Sequence, residues 1–139
     1  MAWAFLADAL PIYPLYALLF LDTGLSVAQV SLLFAIWSTV GFVAEVPSGA
    51  LADRFSRRGA LVVSGLAQAV GFGVWIALPG FAGFAAGFVL WGLGGTLASG
   101  AFEALLYDGL AAVHAEEHYA RINGRAVAAG LVAQVPAAL

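Results

Sequence analysis

Four apolar stretches, each long enough to cross a bilayer, constrain this chain more than any other feature of its sequence. They run from about Trp3 to Leu21, Val27 to Gly49, Gly59 to Leu78 and Phe81 to Tyr107. Each has roughly 19 to 27 residues, and about 20 suffice to span a hydrocarbon core about 30 Å thick. Core helices of soluble domains are usually shorter and apolar on one face only, whereas these are apolar on nearly every face. The breaks are polar or conformational: Asp22-Thr23-Gly24 after the first stretch and Pro79-Gly80 after the third, with Ser26 placed to cap the second. An all-α polytopic membrane protein is the fold class expected.

Composition agrees. Hydrophobic residues make up 63% of the chain and charged residues 9%, against about a quarter charged in ordinary globular domains. Lipid must therefore do much of the solvating. The chain has no Cys and a net charge of -3, which excludes disulfides and thiolate metal sites and gives no basis for nucleic-acid binding. The N-terminus is not a secretory signal, because MAWAFLADAL has no positive leading region and carries Asp8 within its apolar part.

The arginines set the orientation. Arg54, Arg57 and Arg58 lie between the second and third stretches, and Arg121 and Arg125 follow the fourth, so all fall on one side of the membrane. The connections on the other side hold no Lys or Arg. The positive-inside rule then makes the arginine side, and the N-terminus, cytoplasmic. After the polar stretch Asp108 to Arg125, apolar residues resume over 126–139, which as helix reach only about 21 Å. The sequence therefore reads as cut within a fifth helix, since a chain end at that depth leaves a carboxylate and unpaired carbonyls in lipid.

The segment EVPSGALADRFSRRG, Glu45 to Gly59, concentrates three of the five positive charges. Within it, Gly49-Ala-Leu51-Ala52-Asp53-Arg54-Phe-Ser56-Arg57-Arg58 resembles the signature loop between helices two and three of the major facilitator superfamily, Gly-x-Leu-Ala-Asp-Arg-x-Gly-Arg-Arg/Lys. Ser56 stands where that pattern has Gly, which puts the geometry of the tight turn in question. Glu45-Val-Pro47-Ser48-Gly49 before the loop, and Ser99-Gly100 through Ala104-Leu-Leu-Tyr107-Asp108, resemble bacterial members. The resemblance implies a multi-pass protein of the bacterial plasma membrane and the amino-terminal part of a fold of about twelve helices in two rocking halves. It also implies a secondary transporter, without cofactor or metal, whose partners are the bilayer, a carboxy-terminal half, a small-molecule substrate and a coupling ion, most simply the proton. By the same resemblance Gly49, Asp53, Arg54, Arg57, Arg58 and Asp108 form a cytoplasmic latch, with Asp53 engaging the other half and Arg57 and Asp108 linking the loop to helix four. From the residues alone, Asp53 can cap a helix N-terminus or face another helix's positive end, Arg57 or Arg58 has Asp108 as its best partner, and the arginines also serve as headgroup anchors.

Acids inside spans are costly and raise functional hypotheses. Asp8, Glu45 and Glu103 all fall in the cytoplasmic third. Asp8 reads as a structural partner of the arginines; Glu45 and Glu103 are candidates either for proton coupling or for fixed ion pairing. At mid-depth lie Tyr13, Tyr16, Trp37, Ser38, Thr39, Gln68, Trp91, Thr96 and Ser99, none ionised at neutral pH. Because helices one and four line the central cavity in the family resembled, Tyr13, Tyr16, Trp91 and Ser99 are the candidate cavity-lining residues. A site of aromatics and hydroxyls suits an amphipathic or apolar solute. Pro11 and Pro14 allow helix one to kink, and Gly83 and Gly87, spaced G-x-x-x-G, favour close helix packing.

Two other classes compete. A non-transporting membrane scaffold would use the glycine faces to recruit partners. A metalloenzyme would use His114-Ala-Glu-Glu117-His118, an H-x-x-E-H match whose histidines share a face if the segment is helical; it lies in a short polar connection with no third ligand. Gly71-x-Gly73 and Gly92-x-Gly94 fail as dinucleotide fingerprints, since Ile76 and Leu97 occupy the third glycine position.

Overall fold

The computed structural model describes residues 12–54 and 56–137. All regular structure among them is helical: α1 (Ile12–Asp22), α2 (Val27–Arg54), α3 (Arg57–Ala77), α4 (Phe81–Ala111) and α5 (Tyr119–Ala137), with a 3-10 turn at Glu116–His118. Three of these carry segments long and apolar enough to cross a membrane: Val27–Ser48, Arg57–Ala77 and Phe81–Ala111. The beginning of the expected first span, with Asp8 and Pro11, lies outside the described residues. The helix after α4 starts at Tyr119 rather than near Ala126, so Arg121 and Arg125 are helical and exposed. Glu116 and Glu117 immediately before it favour a helix start there, because negative charge complements the positive end of the helix dipole.

The chain divides into two compact units, Phe20–Leu105 and the flanking segments Met1–Leu19 with Leu106–Leu139. The larger unit begins with two local motifs that satisfy backbone groups at helix ends. Gly24, at φ 87°, closes α1: its N–H donates to the Leu21 carbonyl at 3.0 Å, and the Leu25 N–H to that of Phe20 at 3.3 Å. This paired termination requires a left-handed residue, which Gly supplies without steric cost. Ser26 then opens α2 as a capping box: its hydroxyl accepts from the Gln29 N–H at 3.2 Å, and the Gln29 side-chain Oε1 accepts from the Ser26 N–H at 2.9 Å. Such reciprocal caps leave fewer orphan donors at the helix start.

α3 and α4 form an antiparallel hairpin through Leu78, Pro79 and Gly80. A Cβ on Gly71 would stand 2.9 Å from the Gly87 carbonyl oxygen, and one on Gly87 2.8 Å from that of Gly71. The two backbones thus touch with no side chain between them. Trp75 lies over the same point, against Gly87, and its indole N–H donates to the Phe84 carbonyl at 3.1 Å. One helical stretch nearer the arginines, a Cβ on Gly94 would stand 2.9 Å from the Ser64 carbonyl oxygen, and beyond it Ala60 packs with Ala101. Lipid tails are as apolar as the side chains, so close backbone approach of this kind supplies helix association that hydrophobicity cannot.

α2 packs on the other flank of α4, running in the same direction. Gly92 receives Val40 and Trp37 there, with a Cβ in its place 3.0 Å from Val40 Cγ1. α4 is therefore the most buried of the three spans. Around its first half the rings of Phe20, Phe34, Trp37, Phe72, Trp75, Phe84, Phe88 and Trp91 interlock, including Phe20 with Phe84 at 4.4 Å and Trp75 with Phe88 at 5.0 Å. These rings lie toward the end of the unit with the Gly24 and Pro79 turns, away from Arg54, Arg57 and Arg58.

Gly87→Val is expected to destabilise the unit by about 1–3 kcal/mol, as overpacking does, because the Gly71 carbonyl opposite is backbone and cannot turn aside. Gly65→Val, at a glycine with open space around it, is the matched control. Thermal unfolding of the purified protein in detergent separates the two; equal midpoints would contradict the backbone contact.

Candidate functional site

The arginine segment folds as a turn rather than a loop. α2 continues helical through Arg54 and α3 starts at Arg57, which leaves only Phe55 and Ser56 between them. Ser56 sits at φ -59° and ψ 132°, and its hydroxyl accepts from the Gly59 N–H at 3.1 Å. No left-handed backbone is needed at this position, so the Ser that departs from the superfamily pattern fits as an N-cap. The N-cap of α3 is Ser56. Gly59 lies close under the cap, where a Cβ would stand 2.9 Å from Ser56 Oγ.

Arg57 is the first residue of α3 and is half-buried. A cation at a helix N-terminus opposes the dipole at a cost of about 0.3–1 kcal/mol. Its Nη1 donates to the Ala104 carbonyl on α4 at 3.0 Å, and a hydrogen bond from a charged group contributes about 1.5–3 kcal/mol. The hydrogen bond outweighs the dipole, and ties the start of α3 to α4. Arg54 and Arg58 are exposed, as is Asp108, one turn beyond Ala104 on α4. Asp53 lies in the last turn of α2; its side chain, and the surroundings of Gly49, lie outside the described residues.

Glu45 and Glu103 are both exposed. Ser48 donates its hydroxyl to the Glu45 backbone carbonyl at 2.9 Å, not to its carboxylate. At mid-depth, Tyr16 is half-buried and the Tyr13 side chain lies outside the described residues. Ser99 is exposed and donates to the Thr96 carbonyl at 3.1 Å. Trp91 is buried and stacks on Trp37 with ring centroids 5.5 Å apart and planes 24° apart, so the more exposed member of the pair is Trp37. In the sequence, Trp37 stands out by its depth alone. The signal that singles it out is a tryptophan in mid-span, where the residue ordinarily prefers the membrane interface.

The H-x-x-E-H segment does not form one helix. His114 adopts φ 53° as the terminating residue of α4, its N–H donating to the Ala111 carbonyl at 3.1 Å and that of Ala115 to Leu110 at 2.9 Å. His118 ends the following 3-10 turn, 3.8 Å from Glu117. The shared helical face that zinc ligation by this pattern requires is absent. Among the described residues no three His, Cys, Asp or Glu side chains stand together in a way that could hold a metal.

Residues 1–135 match the family model described as Major Facilitator Superfamily. The chain belongs to the major facilitator superfamily. Members of this superfamily are membrane transporters rather than enzymes, and three long apolar helices accord with that. The chain is thus an integral membrane protein whose setting is the lipid bilayer and whose superfamily moves small molecules. No curated protein and no solved structure matches it.

Two substitutions test the local physics. Arg57→Ala is expected to cost about 1.5–3 kcal/mol at the α3–α4 junction, seen as faster amide exchange in the first turn of α3, and Arg57→Lys to recover it in part. Unchanged exchange in both would contradict the tie. His114→Gly is expected to stabilise the end of α4 by about 1 kcal/mol by removing left-handed strain, read as slower exchange at Ala115.

Proposed function

We propose that this chain is the amino-terminal portion of a proton-coupled secondary transporter that moves a small amphipathic or apolar solute by alternating access. In this reading a carboxy-terminal half completes the molecule, the membrane is the bacterial plasma membrane, and the N-terminus and arginines are cytoplasmic. The turn at Arg54–Arg58 is the cytoplasmic latch: Asp53 engages the other half, Gly49 admits close approach, and Arg57 with Asp108 links the turn to α4. The single observation that carries the reading is the hydrogen bond from Arg57 to the Ala104 carbonyl, because simple headgroup anchoring gives the guanidinium no reason to turn onto a neighbouring helix. Glu45 and Glu103, exposed acids on α2 and α4, are the proton-coupling candidates. Tyr13, Tyr16, Trp91 and Ser99 remain the proposed cavity residues, with Trp91 acting as the support of Trp37.

A second reading, a membrane scaffold, draws on one specific observation. Gly65, Ala69 and Gly73 are exposed on α3, and nothing approaches either glycine, leaving a small-residue face of the kind that packs against other helices.

The decisive comparison uses the full-length protein in liposomes. Asp53→Arg is expected to leave the protein inserted but to raise labelling of inner-cavity positions by membrane-impermeant thiol reagents, as loss of a cytoplasmic latch requires. An unchanged labelling pattern would remove the latch. Crosslinking of α3 to a distinct partner, with no solute flux, would favour the scaffold.

A further inference from the structure

Trp37 occupies the centre of the Val27–Ser48 span of 22 residues, about 15 Å from either end at 1.5 Å per residue. Its ring is held from one side: it stacks on Trp91 and meets Phe88 at 6.5 Å, and Gly92 gives it room, with a Cβ there 3.4 Å from Trp37 Cδ1. The residue is otherwise open, with 38% relative exposure. Trp37 makes ring contacts alone, and its indole N–H has no acceptor among the described residues. The contrast with Trp75 is direct, since that buried indole donates to the Phe84 carbonyl.

An unpaired N–H facing hydrocarbon at the middle of a bilayer is strongly disfavoured, and tryptophan otherwise gathers at the interfaces. A mid-span indole that is rigidly backed, open on its other side and lacking an acceptor is therefore suited to a solute or to water, not to lipid. Three other mid-depth hydroxyls do not duplicate its role. Thr39 donates to the Ala35 carbonyl at 2.7 Å, Thr96 to Leu93 at 3.0 Å and Ser99 to Thr96 at 3.1 Å. Their protons are committed to their own helices, and what they present outward is acceptor lone pairs.

We propose that Trp37 is a solute-contact residue, offering an aromatic face and an indole N–H to a planar, largely apolar solute that carries a hydrogen-bond acceptor such as a carbonyl. The inference rests on the transporter reading above and narrows its substrate class. Trp91 is the positioning residue behind it, and Gly92 the position that lets α2 bring the indole close to α4.

The test uses full-length transporter in native membranes, with any cysteines outside this Cys-free stretch removed, and the charged reagent methanethiosulfonate ethyltrimethylammonium. Only a hydrated thiol ionises and reacts, so Trp37→Cys is expected to label roughly tenfold faster than Leu66→Cys, an exposed position near the middle of α3. Ser99→Cys reports the proposed cavity independently. If Ser99→Cys reacts and Trp37→Cys is as slow as Leu66→Cys, lipid or another helix covers Trp37 and this inference alone is overturned. If both are slow, the water-accessible path and the transporter reading fail together. The donor is tested in Ser99→Cys with Trp37 intact: coumarin, planar with a carbonyl, is expected to slow labelling more than naphthalene, planar without one. Adding Trp37→Phe, which keeps a ring and loses the N–H, is expected to abolish that difference. Equal slowing by the two probes, or a difference that survives Trp37→Phe, overturns the hydrogen-bonding role.

Discussion

Backbone contact between α3 and α4 at Gly71 and Gly87 is the constraint on which the larger unit depends. In water, two helices with apolar faces associate because water is expelled; in lipid that force is absent, and dispersion between closely fitted surfaces has to replace it. Two glycines facing each other bring carbonyl oxygen and Cα within van der Waals distance, and the Trp75 indole covers the junction while donating to the Phe84 carbonyl. The arrangement fixes register as well as distance. Once Gly71 faces Gly87 in an antiparallel pair, Ser64 must face Gly94, Ala60 must face Ala101, and Arg57 must arrive beside Ala104.

The arginine turn is thus a consequence of packing far from it. A guanidinium at the start of a helix opposes that helix's dipole, and in a bilayer its natural course is to extend toward the headgroups. Arg57 turns inward because register places a carbonyl within its reach. Arg58, which the same register leaves outward, and Arg54, at the end of α2, are exposed. Three neighbouring cations therefore divide into one tie and two surface charges, a division that chemistry alone does not dictate.

Much of this was legible in the sequence, and the limits have physical causes. The spans at α2, α3 and α4 follow from apolar length, because lipid leaves the backbone no alternative to internal hydrogen bonding. Ser26 was legible as a cap, since its hydroxyl and Gln29 stand at capping-box spacing. Helix ends beyond the membrane were less so: α2 runs on to Arg54 and α5 begins at Tyr119, because water and headgroups do not stop a helix and only a cap or a turn does. His114 ends α4 in a conformation usually left to glycine, and no spacing rule announces that. For the site, the arginine cluster could be read from charge alone, but the partner of Arg57 is a carbonyl and carbonyls are present at every residue. Trp37 and Trp91 looked alike at the same depth; which ring is covered depends on Gly92, and the meaning of a glycine in a span appears only with the helix opposite it.

The two ends of this unit are built differently. Toward the Gly24 and Pro79 turns, rings from four helices interlock, and aromatic pairs contribute about 0.5–1.5 kcal/mol each beyond the area they bury. Toward the arginines the buried α3–α4 contact is Ala60 on Ala101, flanked by Leu61 and Leu97, and Arg57 makes a polar tie across it. Two alanines and two leucines hold fewer contacts than the interlocked rings, so separation of α3 from α4 costs less at this end. Local opening follows the gradient of contact density, which puts the weaker end of the hairpin beneath the most charged turn of the chain. A hydrogen bond at that place has more leverage over the motion of α3 than the same bond would have within the aromatic cluster.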